Sequence, residues 1–311
     1  MKMKIGIDIG GTNTKVGAVS PEGEILSNSS FSTQIFNSEL EFINVLAEHI
    51  NKIRDQYNLH EIEGIGIGAP NGNYYTGIIE NAPNIRWGEK FNIVKLLSEK
   101  FKCKIKLTND ANAAAVGELK YGKGKLLKNF IVITLGTGLG CGLIINGELY
   151  HGHNSLAGEL GHVNAVPEGR LCGCGKNGCL ETYASATGIR TTILEMLNVQ
   201  KVPSLLRNIE TKDITSKVIY DAAVQKDSLA LKAFDFTGKI LGEKLSDIVE
   251  IFDPEAIFFF GGLAESGDIL IEPVRKYMEN SLMSIFKNKV KLEQSGLIDK
   301  NAAILGACAL I

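Results

Sequence analysis

No apolar run in this 311-residue chain approaches the roughly 18 residues that a membrane-spanning helix needs, so a membrane partner is not expected. Charge of one sign is missing too. Lys plus Arg number 33 against 35 Asp plus Glu, a formal net charge of -2, and no long single-sign stretch could neutralise a polyphosphate backbone. Nucleic acid is therefore not expected as a partner. Met1 to Lys4 lead directly into Ile5, Ile7 and Ile9 without a charged-then-apolar leader or a cleavage site, so a cytoplasmic protein is expected. A P-loop is also absent. Its nearest imitation, Gly117-Glu118-Leu119-Lys120-Tyr121-Gly122-Lys123-Gly124, ends in glycine where Ser or Thr should bind magnesium, and it follows a helix where a strand is required. It reads as a linking loop between lobes.

What remains is ordinary globular composition, 44% hydrophobic and 22% charged, which leaves no room for a large disordered tail. The length exceeds what one hydrophobic core usually serves, so two lobes with a cleft between them are expected. Residues 4–19 read as two β-strands joined by the glycine-rich turn Gly10-Gly11-Thr12-Asn13. A second turn at Pro21-Glu22-Gly23-Glu24 leads to a third strand near Ile25. The plan recurs as Phe130 to Leu135, then Gly136-Thr137-Gly138-Leu139-Gly140, then Gly142 to Ile145 and the turn Asn146-Gly147-Glu148. Either two lobes share one plan, or two glycine-rich hairpins resemble each other by chance.

Elsewhere strands alternate with helices, as in an α/β fold. Leu40 to Tyr57 spaces Leu40, Ile43, Leu46, Ala47, Ile50 and Ile53 as an amphipathic helix, and Ile62 to Gly68 follows as a strand. Asn92 to Phe101 reads as a helix, Lys104 to Leu107 as a strand, and Ala111 to Glu118 as a helix, which sets Asp110 at a strand's end beside a helix N-terminus. Ala222 to Phe252 reads as one or two helices broken near Gly238 or Gly242. The strand Ala256 to Phe260 closes on Gly261-Gly262, and the apolar segment Ala302 to Leu310 reads as a buried closing helix that packs back on the first lobe.

Several of these residues have chemistry within reach. Glycines let backbone N–H groups converge on an anion, so both glycine loops could cradle phosphates; each could equally be a tight turn. Asp8 could hold Mg²⁺ directly or through water, or serve as a structural aspartate bonded to the turn. Lys15 could face phosphates or solvent. Six cysteines sit at 103, 141, 172, 174, 179 and 308, and three of them crowd into eight positions after His162. One His and three Cys match the ligand set of a closed tetrahedral zinc site; the competing reading is surface cysteines with a redox role. Zinc held by four protein ligands has no open position for water and would be structural.

With these pieces assembled, the chain resembles the ROK family of sugar kinases and repressors, most closely its glucokinase-like members. The matching elements are Asp8-Ile9-Gly10-Gly11-Thr12, Asn109-Asp110-Ala111-Asn112, Leu135-Gly136-Thr137-Gly138, Glu159-Leu160-Gly161-His162 and Cys172-x-Cys174-Gly175-x-x-Gly178-Cys179-x-Glu181, spread over nearly the whole chain. The resemblance implies an α/β fold of two ribonuclease-H-like lobes of the actin and hexokinase type around an interlobe cleft. The smaller lobe would be 1–118 with 297–311, and the larger, zinc-bearing lobe 119–296.

It also implies ATP-dependent phosphorylation of a hexose hydroxyl, with glucose to glucose 6-phosphate as the leading expectation. Kinases for N-acetylglucosamine, N-acetylmannosamine, fructose or allose are the alternatives. By the same resemblance Asp110 would accept the proton of the attacking hydroxyl. Gly68, Asn81, Asn109, Glu159, His162 and Glu181 would line the sugar, and His162 would also bind zinc with Cys172, Cys174 and Cys179. ATP and Mg²⁺ would be held by Asp8, Gly10, Gly11, Thr12, Asn13, Lys15, Gly136, Thr137 and Gly138, with Gly261 and Gly262 bordering the nucleoside. A homodimer formed through the larger lobe is implied as well.

The family usually follows Gly66-Ile67-Gly68-Ala69-Pro70 with glycine and proline, whereas here the run is Asn71-Gly72-Asn73-Tyr74-Tyr75. Asn81-Ala82-Pro83-Asn84 and Trp87 do match the next segment, near the sugar in relatives. A sugar-sensing regulator is the second class, but the first hairpin begins at Ile5, so no winged helix is expected ahead of it. An actin- or chaperone-type ATPase is the third, opposed by the His-Cys₃ segment and the Asn109-Asp110 pair.

Overall fold

The computed structural model describes residues 3–57, 61–82, 90–297 and 301–311. The chain divides into two compact units, one of residues 1–128, 142–157 and 296–311, the other of residues 129–141 and 158–295. The first change of unit falls after Lys128, beyond position 118, which lies inside a helix, α3 (Asp110–Tyr121). Residues 117–121 of the expected linking loop belong to α3, and residues 123–126 form a 3-10 turn in the same unit.

The first unit is built on a five-stranded sheet in the order β3-β2-β1-β4-β7. Its strands are β1 (Met3–Ile9), β2 (Asn13–Val19), β3 (Ile25–Ser32), β4 (Ile62–Gly68) and β7 (Lys104–Thr108), and the short strands β5 (Ile79–Glu80) and β6 (Lys90–Phe91) pair with each other. β1, β2 and β3 run antiparallel; β4 and β7 add parallel to β1. Large aliphatics alternate with Lys4, Gly6 and Asp8 along β1 and with Gly64, Gly66 and Gly68 along β4, and alternation on a strand means two faces. Ile5, Ile7, Ile65 and Ile67 join one buried cluster with Phe42, Leu46 and Ile50 of α1 (Glu39–Gln56) and with Ile93 and Leu97 of α2 (Ile93–Ser98).

The opposite face is a row of glycines, Gly17, Gly6 and Gly66, set side by side by the strand register. A Cβ at Gly6 would lie 2.2 Å from Ile304 O and one at Gly66 1.8 Å from Ala307 O. The row is therefore a trough in which the backbone of α8 (Ala302–Ala309) lies, and the closing helix packs back on this unit as expected. Gly306 of α8 meets α3 in the same manner, its absent Cβ falling 2.3 Å from Ala113 O.

The second sheet repeats the order of the first, β10-β9-β8-β11-β12, from β8 (Phe130–Leu135), β9 (Leu139–Ile145), β10 (Glu148–Leu149), β11 (Ala256–Phe260) and β12 (Lys291–Gln294). Here β8, β11 and β12 are parallel. The second unit adds α4 (Ala186–Val199), α5 (Ser216–Val224), α6 (Ser228–Phe252) and α7 (Asp268–Ser281). The helical stretch expected over 222–252 is broken earlier than the glycines suggest: Lys226 takes a left-handed φ of 63°, and Asp227 caps α6 by accepting from the N–H groups of Leu229 and Ala230. Gly238 and Gly242 sit inside an unbroken α6 because α7 crosses there. A Cβ at Gly238 would lie 2.5 Å from Pro273 Cβ, and one at Gly242 2.5 Å from Val274 O. Among the described residues no helix is long and apolar enough to cross a membrane.

Candidate functional site

In the first unit the expected residues gather at the carboxyl ends of the parallel strands, where open α/β sheets place their ligands. The register aligns Asp8 of β1 with Gly68 of β4, and Gly68 with Thr108 of β7. Asp110 follows two residues later as the first residue of α3. Gly68 keeps this corner open: its absent Cβ would touch Ala113 Cβ at 3.1 Å and come within 3.9 Å of Asp110 Cα. Asn109 caps α3, its Oδ1 accepting from the N–H of Asn112 at 2.7 Å, and Asp110 Oδ1 accepts from the N–H of Ala111 at 2.9 Å.

The two carboxyls feel each other. Asp8 is pushed up to about 6, first by burial, then by the negative charge of Asp110, with Lys15 pulling the other way. Lys15 stands directly across from Asp8 in the β1–β2 ladder, so its ammonium stem starts beside the carboxylate. Asp110 is also raised, chiefly because surrounding protein restricts its hydration, while N–H bonds from Ala111 and from its own backbone oppose the shift. The residue as a whole keeps accessible surface.

The turn between β1 and β2 closes with the N–H of Gly10 donating to Asn13 O at 3.0 Å. Its tip is exposed at Thr12 and Asn13, and the N–H groups of Gly11 and Thr12 have no partner among the described residues. Two anchors fix this tip that the sequence reading did not single out. The N–H of Thr33 donates to Thr12 O at 2.9 Å, and the buried Thr33 and Thr14 hydroxyls meet at 2.8 Å. Asn81, with φ 47°, accepts at its carbonyl from Asn71 Nδ2 at 3.1 Å. Pro83, Asn84 and Trp87 lie outside the described residues.

The run that departs from the family pattern is tied down within the same unit. Tyr74 stacks on His151 with ring centroids 3.9 Å apart, the Tyr74 N–H donates to Ser155 Oγ at 2.9 Å, and Asn73 Nδ2 donates to Asn154 O at 3.1 Å.

In the second unit the loops after β8 and β11 lie side by side, as the ends of adjacent parallel strands must. Gly261 has φ +98°, and a Cβ there would strike the backbone of Leu135 at 2.8 Å, so only glycine permits this contact. At Gly136 and Gly262 an added Cβ would meet no protein atom within 4 Å. In the loop 136–139, the Gly136 N–H donates to Gly138 O and the Leu139 N–H to Glu181 Oε2, both at 3.0 Å, while the N–H groups of Thr137 and Gly138 have no partner among the described residues.

Beside this loop, one nitrogen of His162 and the sulfurs of Cys172, Cys174 and Cys179 all lie within 4.8 Å of one another. His162 Nδ1 is 3.6 Å from Cys172 Sγ, and the Cys174 and Cys179 sulfurs are 3.6 Å apart. Two sulfurs about 2.3 Å from one tetrahedral ion stand about 3.8 Å apart, so the spacing has the dimensions of a zinc site. Gly175 and Gly178, both with positive φ, let the segment wrap around it. His162 Nε2 points away from the sulfurs, 3.9 Å from Glu159 Oε2.

Comparison with known proteins identifies the family. The model of the ROK family matches residues 4–311. A glucokinase of Halalkalibacterium halodurans is 36% identical over 280 residues, covering 88% of this chain and 84% of the relative, and a glucokinase of Thermotoga maritima is 34% identical, covering 99% and 96%. Among solved structures, a ROK family glucokinase from Streptomyces griseus in complex with glucose and AMPPNP superposes with a TM-score of 0.83 at 32% identity, covering 99% of this chain and 98% of that one. Paired carboxylates at the strand ends, two glycine turns at equivalent places in two sheets of one order, a His-Cys₃ cluster and this breadth of similarity lead to one conclusion: the chain belongs to the ROK family.

Proposed function

We infer that this protein is an ATP-dependent sugar kinase that transfers the γ-phosphate to a hexose hydroxyl, with glucose as the substrate. The observation that carries the reading is the pair Asp8 and Asp110, two carboxyls close enough at the strand ends for one to raise the other. A polyphosphate with its cation needs a carboxylate as cation ligand, and an attacking hydroxyl needs a second as proton acceptor. Similarity to glucokinases of two bacteria supports the choice of glucose.

Asp110, accessible at the start of α3, accepts the proton as the sugar oxygen attacks the terminal phosphorus. Phosphoryl transfer needs positioning and charge stabilisation more than covalent help. Asn109 commits Oδ1 to its cap, which leaves its amide N–H groups to donate to a sugar oxygen. The candidates for sugar contact are Gly68 and Asn81 in the first unit and Glu159, His162 and Glu181 in the second. The N–H groups of Gly11, Thr12, Thr137 and Gly138, unpartnered among the described residues, are donors for phosphate oxygens, with Gly10, Asn13 and Gly136 shaping their turns and Lys15 adding a positive charge. Asp8 would hold Mg²⁺, which when bound neutralises phosphate charge. Gly261 and the open face of Gly262 border the nucleoside.

The His162, Cys172, Cys174 and Cys179 cluster would hold zinc, through Nδ1 of the imidazole, leaving the Nε2 N–H for a sugar oxygen. A coupled ADP-release assay across hexoses and N-acetylhexosamines tests the reading. Glucose should give the highest kcat/KM, and ADP release at one rate with and without any sugar would instead make the protein an ATPase.

A further inference from the structure

The carboxylate of Glu181 lies between the metal-ligand segment and the loop after β8. Its Oε2 accepts the N–H of Leu139 at 3.0 Å, and its Oε1 lies 3.8 Å from Cys172 Sγ. Leu139 directly follows Gly136-Thr137-Gly138, and the absent Cβ of Gly138 would fall only 2.2 Å from the same Oε2, so the carboxylate is seated on the loop itself. The rest of the segment grips the loop from both ends. The Ala186 N–H donates to Gly136 O at 2.9 Å, while Gly161 approaches so closely that a Cβ would lie 2.3 Å from Leu139 O. Ser185, which caps α4, in turn donates to Glu181 O at 2.8 Å.

We propose that Glu181 is a positioning residue for nucleotide binding: by accepting the Leu139 N–H it fixes the turn that aims the Thr137 and Gly138 N–H groups at phosphate, apart from any contact it makes with sugar. The proposal rests on the assignment of loop 136–138 to the phosphates. An aligned pair of donors binds an anion only while the turn keeps both aimed together, and the Leu139 bond ties the far end of that turn to the rest of the unit as the Ala186 bond ties its start.

The test is the affinity of the full-length protein for Mg²⁺-AMPPNP measured by calorimetry with no sugar present, so that a role confined to the sugar has no effect. Glu181→Met keeps the volume and removes the acceptor, and Glu181→Gln keeps an acceptor oxygen. The expected result is a loss of roughly tenfold for E181M, with E181Q within about threefold of wild type. Equal affinity of E181M and wild type overturns the proposal, and so does an equal loss in both variants. If E181M does not fold, Glu181→Ala is judged by the same criteria. Gly136→Val separates the two assignments, because a Cβ at this position would meet no protein atom within 4 Å. Undiminished AMPPNP binding by G136V removes the loop from the nucleotide site, and the role of Glu181 falls with it.

Discussion

At position 8 a carboxyl is held where its charge is unwelcome. Its pKa of about 6, against an ordinary 3.8, means that the folded protein binds this proton more tightly than the unfolded chain does. The sign follows: the stability attached to this group is greatest below the unfolded value and is lost as pH rises from about 4 through 6. Above that window ionised Asp8 costs on the order of 3 kcal/mol, a cost that a bound cation offsets. Asp8→Asn without metal should therefore melt higher than wild type near neutral pH, with the difference vanishing at about pH 4. Thermal unfolding in chelator at both pH values measures it, and a variant that melts lower near neutrality contradicts the paired-carboxylate reading. The candidate residues were legible one by one, from residue type and spacing. Their partners were not: nothing in Glu181 or Leu139 as letters shows that the carboxylate of one takes the N–H of the other across 42 positions.

Among the elements, legibility followed local periodicity. The strand Ile62–Gly68 and the helix Glu39–Gln56 stand where alternation and three-four spacing put them. Gly238 and Gly242 misled because glycine has two uses, ending a helix or admitting a neighbour, and only the crossing of α7 decides between them. The glycine row of Gly17, Gly6 and Gly66 was hidden for the same reason, since strand register and the late helix α8 give it meaning. The His-Cys₃ segment was legible because metal ligation constrains residue type and spacing together. If it holds zinc, metal analysis should find one zinc per chain, and chelation should lower the melting temperature and weaken glucose binding. Unchanged stability on complete chelation would make the cysteines something other than a structural centre.

For the whole molecule, composition and motif order indicated two parts with one plan, and the two sheets share one strand order. The division was less visible, because the chain passes from one unit to the other at four junctions, near 128, 141, 157 and 295, with no change of composition at any of them. The claim that joins all scales is that phosphate passes from ATP to glucose with the carboxylate at 110 taking the proton. Its most direct test is the transfer of label from γ-labelled ATP to glucose by wild type and by Asp110→Asn, with AMPPNP affinity confirming that the variant still binds nucleotide. Labelled glucose phosphate should form with wild type and fall by a factor on the order of 10²–10⁴ or more in the variant. No labelled sugar from wild type, or equal rates from both proteins, would contradict the account.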